Sequence, residues 1–424
     1  MLTAATGICQ QRLLLQDAIA KALKNSLDIQ LANNNWQIAQ INNHPGFAGA
    51  LPTVTAGITD NEQLSSTSQK FANPNNNIDR SNVAVNNLSA NVTGSIVLFN
   101  GKRIVATQQR LAALQQLNKW QLNAQVQNCI ANVSVRYYDV ARQQWYANTL
   151  VQSIAVAEQK LALLTERKAI GTANNADIFQ AQLDVNALQQ QLQNQELIIE
   201  QAKIELQSAM YETANTTNFR VADSILVNTQ LHRDSLLNTL LQNPQIAAAT
   251  EQINVLGFIE KETAALRYPT IRATTGYSFS NNKAAAGFNL LTQSYGPFIG
   301  INVSVPIYAG NTAKKQLHIA ELNTQNARLQ KENLLLNTHN SFSRNYIAYQ
   351  SHLQQLATQQ KNYQLSLQLL QLVQQKFALQ QATIIDVKQA QQSFENESYR
   401  LVNLRFAAKT AEITLLQLSS KLGN

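Results

Sequence analysis

Four stretches of the chain alternate apolar and polar residues with period two. In LSANVTGSIVLF (88–99), Leu88, Ala90, Val92, Gly94, Ile96 and Leu98 fall on one face, and Ser89, Asn91, Thr93 and Ser95 on the other. TVTAGI (53–58), TIRATTGYSF (270–279) and FIGINVSVPIY (298–308) alternate in the same way. The pattern predicts four β-strands, each with an uncharged apolar face and a polar face. Much longer stretches carry apolar residues at helical spacing, among them Leu111, Leu114, Leu117, Val126, Ile130, Val133, Tyr137 and Val140. Neither proline nor glycine interrupts 102–170. A helix over 101–170 would be about 100 Å long at 1.5 Å per residue. It cannot be buried in a globular domain, so it must pack lengthwise, as coiled coil or tube wall.

The chain carries this arrangement twice. LFNG (98–101) matches IYAG (307–310), NNADIFQAQ (174–182) matches TIIDVKQAQ (383–391), and LQSAM (206–210) aligns with LLQLS (415–419). The offset is 209 throughout (386 − 177 = 209), and Tyr137 meets Tyr346. Upstream, DAIAKALKNSLDIQLA (17–32) resembles DSLLNTLLQNPQIAAA (234–249), and LPTVTAGI (51–58) resembles YPTIRATT (268–275), at an offset of 217 (269 − 52 = 217). The eight-residue difference (217 − 209 = 8) falls between 59 and 97, within the Asn- and Ser-rich segment 60–87, expected to be a surface loop. The first repeat is expected over 13–212, with helix 13–50, β-hairpin 51–99, long helix 101–170 and return helix 175–212. A linker follows over 213–233. The second repeat, 234–424, has helix 234–267, β-hairpin 268–308, long helix 311–378 and return helix 383–422.

Strands of this kind fit a half-buried sheet, and they fit a membrane barrel whose apolar face meets lipid. Aromatic residues at the strand ends (Phe99, Tyr268, Phe298, Tyr308) sit where an interfacial girdle would be, which favours the barrel. Four strands cannot close a barrel, since the smallest have about eight. Unpaired edges in lipid cost several kcal/mol per backbone group. On this reading the chain must oligomerise, its copies completing one another's sheet. A soluble coiled-coil scaffold built on the long helices is the other reading, and it needs no lipid-facing strand.

Composition narrows the chemistry. Charged residues are 14% of the 424, well below the usual ~25%, and glycine (14) and proline (7) are scarce, which suits long uninterrupted elements. The net charge of +8 includes no run of five Lys/Arg, so nucleic-acid binding is not indicated. Nowhere are there 18 consecutive apolar residues, so no transmembrane helix is expected. Cys9 and Cys129 make neither a disulfide framework nor a metal site. The five histidines lack ligand spacing, and there is no phosphate loop or nucleophile elbow. No catalytic residue, metal or cofactor is expected, and the chain is read as no enzyme. Residues 1–12, beginning MLTAATGICQQ, read as the remnant of a trimmed export signal or as a frayed terminus. Ile8 is bulky for a lipoprotein cleavage site at Cys9.

The ordered set DAIAKALKNSLDI, LP before a strand, LFNGKR leading into a very long helix, and IGTANNADIFQAQ, all repeated, resembles the TolC family of outer-membrane efflux proteins. The resemblance runs from about residue 14 to 422. It implies a homotrimer in the outer membrane of a Gram-negative bacterium. Each chain would give four strands to a shared twelve-stranded β-barrel, and the helices would form a periplasmic α-helical barrel girdled by a mixed equatorial region containing 213–233. It also implies docking on a periplasmic adaptor (membrane fusion) protein and an inner-membrane transporter of RND, ABC or MFS type. The function implied is passive conduction in tripartite efflux or type I secretion.

The repeated phrase lies where each long helix meets its return helix. Asn174 and Thr383 can serve as N-caps, with Asp177 and Asp386 at the third helical position, a capping-box arrangement. An N-cap is worth about 1 kcal/mol. The resemblance adds a second role, placing these turns around the periplasmic entrance. Asp386 matches a gate position, and Gln389 stands where relatives have a second aspartate; Asp177 and Gln180 are their counterparts in the first repeat. Ala382 replaces an arginine latch of some relatives, and Gln380 stands opposite the helix-ending Gly171. The adaptor-contact candidates are Gly171, Thr172, Ala173, Asn174 and Asn175 in one turn, and Leu379, Gln380, Gln381, Ala382 and Thr383 in the other.

Overall fold

A computed structural model describes residues 11–213, 219–285 and 289–422. The elements run β1 (Gln11–Leu13), α1 (Leu15–Asn25), α2 (Leu27–Asn42), β2 (Thr53–Gln69), β3 (Ile78–Phe99), α3 (Arg103–Ala169), α4 (Asn175–Ala209), β4 (Phe219–Val221), α5 (Arg233–Leu237), α6 (Pro244–Ala264), β5 (Thr270–Ala284), β6 (Leu291–Ser304), α7 (Thr312–Ala378) and α8 (Ile384–Leu418). Residues 1–10, including Ile8 and Cys9, lie outside the described part, and with them the reading of an export signal.

The duplication holds in three dimensions. α3 and α7 have 67 residues each, 209 apart (312 − 103 = 209), and α4 and α8 have 35 each (384 − 175 = 209). The turn from sheet to long helix uses two successive left-handed residues in both repeats, Gly101 and Lys102 (φ 66°) and Gly310 and Asn311 (φ 59°). At Gly101 a Cβ would come within 2.7 Å of the Tyr268 side chain, so space as well as φ demands glycine.

The single helices expected over 13–50 and 234–267 are each broken, at equivalent residues (243 − 26 = 217). Ser26, fully buried, accepts from the Ile29 N–H (3.3 Å) and so starts α2. Asn243 accepts from the Gln245 N–H (2.9 Å) and starts α6, whose first residue is Pro244. A capping side chain inside an apolar-periodic stretch offers the backbone a competing partner, and the helix restarts there.

β2, β3, β5 and β6 form one antiparallel sheet in that order, leaving β2 and β6 as edges. The segment 60–87, expected to be a loop, is mostly strand. β2 runs to Gln69 and β3 begins at Ile78, so the extra residues lengthen the hairpin. β6 ends at Ser304, before Pro306, which lacks the N–H a ladder needs. In-register rows such as Ile58–Ala90–Phe279–Tyr295 and Ala56–Val92–Tyr277–Pro297 make one face apolar. The row Thr59–Ser89–Ser280–Ser294 lines the other with hydroxyls. Phe298, expected at a strand end, is mid-strand on the polar face, in the row Thr55–Thr93–Gly276–Phe298. Gly276 leaves the space beside the Phe298 ring.

The chain divides into two compact units. One comprises Met1–Asn35, Lys119–Ala248 and Lys331–Asn424; the other, holding the sheet, comprises Trp36–Asn118 and Ala249–Gln330. In the first, the core gathers Ala18, Ala22, Val133, Tyr137, Val140, Leu206 and Met210. The Tyr137 hydroxyl lies 2.7 Å from Asp223 Oδ2 and 2.8 Å from the Leu13 carbonyl, tying β1 and the segment after β4 to α3. Burial and this hydrogen bonding push the Tyr137 phenol well above its ordinary pKa. Tyr346, its counterpart by sequence, does not repeat the role. Tyr349, one turn later, is the buried tyrosine whose hydroxyl donates to the Asn228 carbonyl.

Candidate functional site

The two turns between long and return helices close in the same way. The Thr172 N–H donates to the Arg167 carbonyl (2.9 Å) and the Gly171 N–H to that of Lys168 (2.9 Å), with Gly171 at φ 81°. In the second repeat Gln381 bonds to Lys376 (2.8 Å) and Gln380 to Phe377 (3.1 Å), with Gln380 at φ 61°. These are Schellman closures, which require a left-handed residue. Glycine adopts that conformation without strain and glutamine does not. Gln380→Gly should therefore stabilise the second turn by about 1 kcal/mol, and Gly171→Ala should destabilise the first by a similar amount. Amide hydrogen exchange over 165–175 and 374–384 reads both changes.

The caps are unequal. Thr383 Oγ1 accepts from the Asp386 N–H (3.2 Å), and Asp386 Oδ2 accepts from the Thr383 N–H (2.8 Å), a full capping box. At the first turn Asn174 Oδ1 accepts from the Asp177 N–H (2.8 Å), but no reciprocal bond forms, so the box expected in both repeats is complete in one. The bonds from Thr383 hold the Asp386 carboxyl below the usual carboxylate range. Asp386 and Gln389 are exposed, and Asp177 is half-buried.

An apolar cluster brings the turns together: Leu164, Ala181, Phe377 and Val387, with Ala173 and Ala382 packed against it. Thr172 Oγ1 donates to the Arg167 carbonyl (3.1 Å), Leu379 is 68% exposed, and Asn175 and Gln381 are exposed. Two charged connections were not read from sequence. Arg167, near the end of α3, stacks over the Phe377 ring (4.6 Å) and donates to the carbonyls of Phe377 and Ala378, closing the end of α7. Asp184 on α4 accepts from Lys160 of α3 (2.8 Å), Lys388 of α8 (2.8 Å) and Gln180 (3.0 Å). Lys160 is 2% exposed and Asp184 12%. Burial raises the Asp184 pKa, but the hydrogen bonds from Lys160 and Lys388 outweigh it and hold the carboxyl below its ordinary value. The available signal was Lys160 interrupting the apolar spacing of Ala157, Leu161 and Leu164 in a sparsely charged helix.

No group of three or more His, Cys, Asp or Glu able to hold a metal occurs among the described residues. No described helix is long and apolar enough to cross a membrane, which says nothing about the sheet. The sheet's apolar face is bare in the single chain: Ile58 is 78% exposed, Ile299 87% and Ile301 70%.

The family model for outer membrane efflux proteins matches residues 18–210 and 236–420, one block for each repeat. The chain belongs to the outer membrane efflux protein family. It is an outer-membrane efflux protein and not an enzyme. Among structures it is similar to the CmeC outer membrane channel of Campylobacter jejuni (TM-score 0.80, 15% identity, 96% of this chain and 85% of that one). It also resembles the outer membrane protein VceC of Vibrio cholerae (TM-score 0.76, 17% identity, 96% and 95%). A curated relative, the probable outer membrane lipoprotein SilC of Salmonella typhimurium, is 23% identical over 289 residues, 68% of this chain. That match spans 62% of the length of SilC. Family membership decides between the two readings left open by the sequence, in favour of the channel over the soluble scaffold.

Proposed function

We propose that the chain forms the outer-membrane exit duct of a tripartite efflux or type I secretion system and conducts its cargo passively. Three copies, each giving four strands, close a twelve-stranded barrel, and their helices line a tunnel through the periplasm. The repeats 13–212 and 234–424 supply equivalent walls, with 213–233 in the equatorial belt. The observation that carries this reading is the four-stranded sheet with two free edges and a bare apolar face. Neither edge nor face is stable in a membrane until other copies and lipid cover them. A periplasmic adaptor would meet the turns at 171–175 and 379–383, delivering cargo from an inner-membrane transporter. Asp386, Gln389, Asp177 and Gln180 would border the entrance, which Gln389 makes less acidic than a doubled aspartate ring.

Cysteine cross-linking tests the assembly. In a background lacking Cys9 and Cys129, a cysteine replacing Ile58 on β2 should join one placed along β6, at Ile299 or Ile301, in outer membranes. The expected product is a ladder ending at three chains. Loss of every cross-link, or a ladder continuing beyond three, would contradict it. In the same background, cysteines in the two turns should cross-link to the cognate adaptor.

A further inference from the structure

We propose that the cavity walled by β1, β4, α3 and α8 is a binding site for a small oxyanion bearing phosphate or carboxylate groups. The cavity is about 390 Å³, and three arginines line it, Arg12, Arg220 and Arg405. Arg12 and Arg220 are direct register partners across β1 and β4, a like-charge pairing that disfavours the sheet. Their neighbours Leu13 and Val221 are buried in the core, so the strands cannot turn over to separate the charges. Arg405 is half-buried and stacks on the Trp145 ring (5.2 Å), which Ser398 holds through the indole N–H (3.3 Å).

Asp223 is the only carboxylate lining the cavity, and no arginine there forms an ion pair with it among the described residues. Its Oδ2 is already committed to the Leu15 N–H (3.0 Å) and the Tyr137 hydroxyl (2.7 Å). Three cations against one occupied anion leave a local excess of two positive charges (3 − 1 = 2). Arg12 and Arg220 are exposed, but the half-buried Arg405 guanidinium has no carboxylate partner among the described residues, which is costly. Planar forks suit the paired oxygens of phosphate or carboxylate. Arg220 also donates to Asn148 Oδ1 (3.3 Å), which leaves the Asn148 amide N–H₂ as a further donor at the wall.

Calorimetric titration of the detergent-purified full chain with inorganic phosphate and with citrate, at constant ionic strength set by sodium chloride, tests the site. Saturable binding of at least one is expected, weakened tenfold or more by Arg12→Gln and Arg405→Gln and unchanged by Arg80→Gln on the sheet. Phosphate alone, or citrate alone, identifies the group recognised. Arg405→Lys keeps the charge without the planar fork, so reduced affinity in a folded protein is expected there too. Without anion, Arg12→Gln should raise the melting temperature, because it removes the cross-strand repulsion. No saturable binding of either anion, or equal affinity in all variants, overturns the proposal.

Discussion

Asp184→Ala should destabilise the paired helix tips by about 3–5 kcal/mol, the usual consequence of removing one partner from a buried ion pair. The loss comes less from the missing attraction than from what is left behind. Lys160, 2% exposed, would keep its ammonium in the protein interior with no carboxylate beside it. Hydrogen exchange at the ends of α3, α4 and α8 reads this local opening directly. Replacing both partners, Lys160→Met with Asp184→Leu, should restore most of the stability, because an apolar pair of similar volume leaves no stranded charge. The wild type should show a matching pH dependence. The folded-state pKa of Asp184 is lowered from the ordinary value of about 3.9. Its contribution is therefore complete above about pH 4 and is lost as the pH falls through that lowered value. Lys388, 43% exposed, adds the link from the second repeat to the first, and Lys388→Met should have a much smaller effect.

Gly276→Ala should prevent the sheet from forming properly and reduce the yield of assembled channel. A Cβ at 276 would sit 2.1 Å from the Val92 carbonyl oxygen, a backbone atom in the neighbouring strand that cannot rotate away. It would also press on the Phe298 ring at 3.0 Å. Relief requires β3 and β5 to separate, which breaks ladder hydrogen bonds of the sheet. We expect a loss of about 3 kcal/mol or more, seen as a fall in heat-resistant oligomer on unheated gels of outer membranes. Gly296→Ala is the control, since no atom lies within 4 Å of its added Cβ.

Much of the fold was legible because the chain repeats it. The 209-residue offset located equivalent helices, turns and caps, and period-two alternation located four strands. What escaped notice has identifiable causes. Ser26 and Asn243 were aligned with each other, yet helical spacing of apolar residues continues through Ser26, where only the buried capping bond shows the break. At Asn243, by contrast, the following Pro244 was an available signal. The segment 60–87 looked like a loop from its Asn and Ser content. In a strand whose two faces meet different surroundings, polar residues occupy alternate positions without ending the strand. At the tips, Thr383 and Asp386 were legible as a cap because capping is local. Asp184 and Lys160 were not, because their charges are not duplicated, and Arg167, which stands opposite Lys376, was not because its partner Phe377 is distant in sequence. Leu369 and Ser393 stand at the equivalent positions of Lys160 and Asp184 (160 + 209 = 369; 184 + 209 = 393). Searching for echoes passes over residues that belong to one repeat only.

Electron cryomicroscopy of the detergent-extracted full chain measures the central claim most directly. The expected particle has threefold symmetry, with β2 of one copy paired to β6 of the next in a closed twelve-stranded barrel continuous with a helical tunnel. A particle whose β2 and β6 edges remain unpaired, or which contains a single chain, would contradict it.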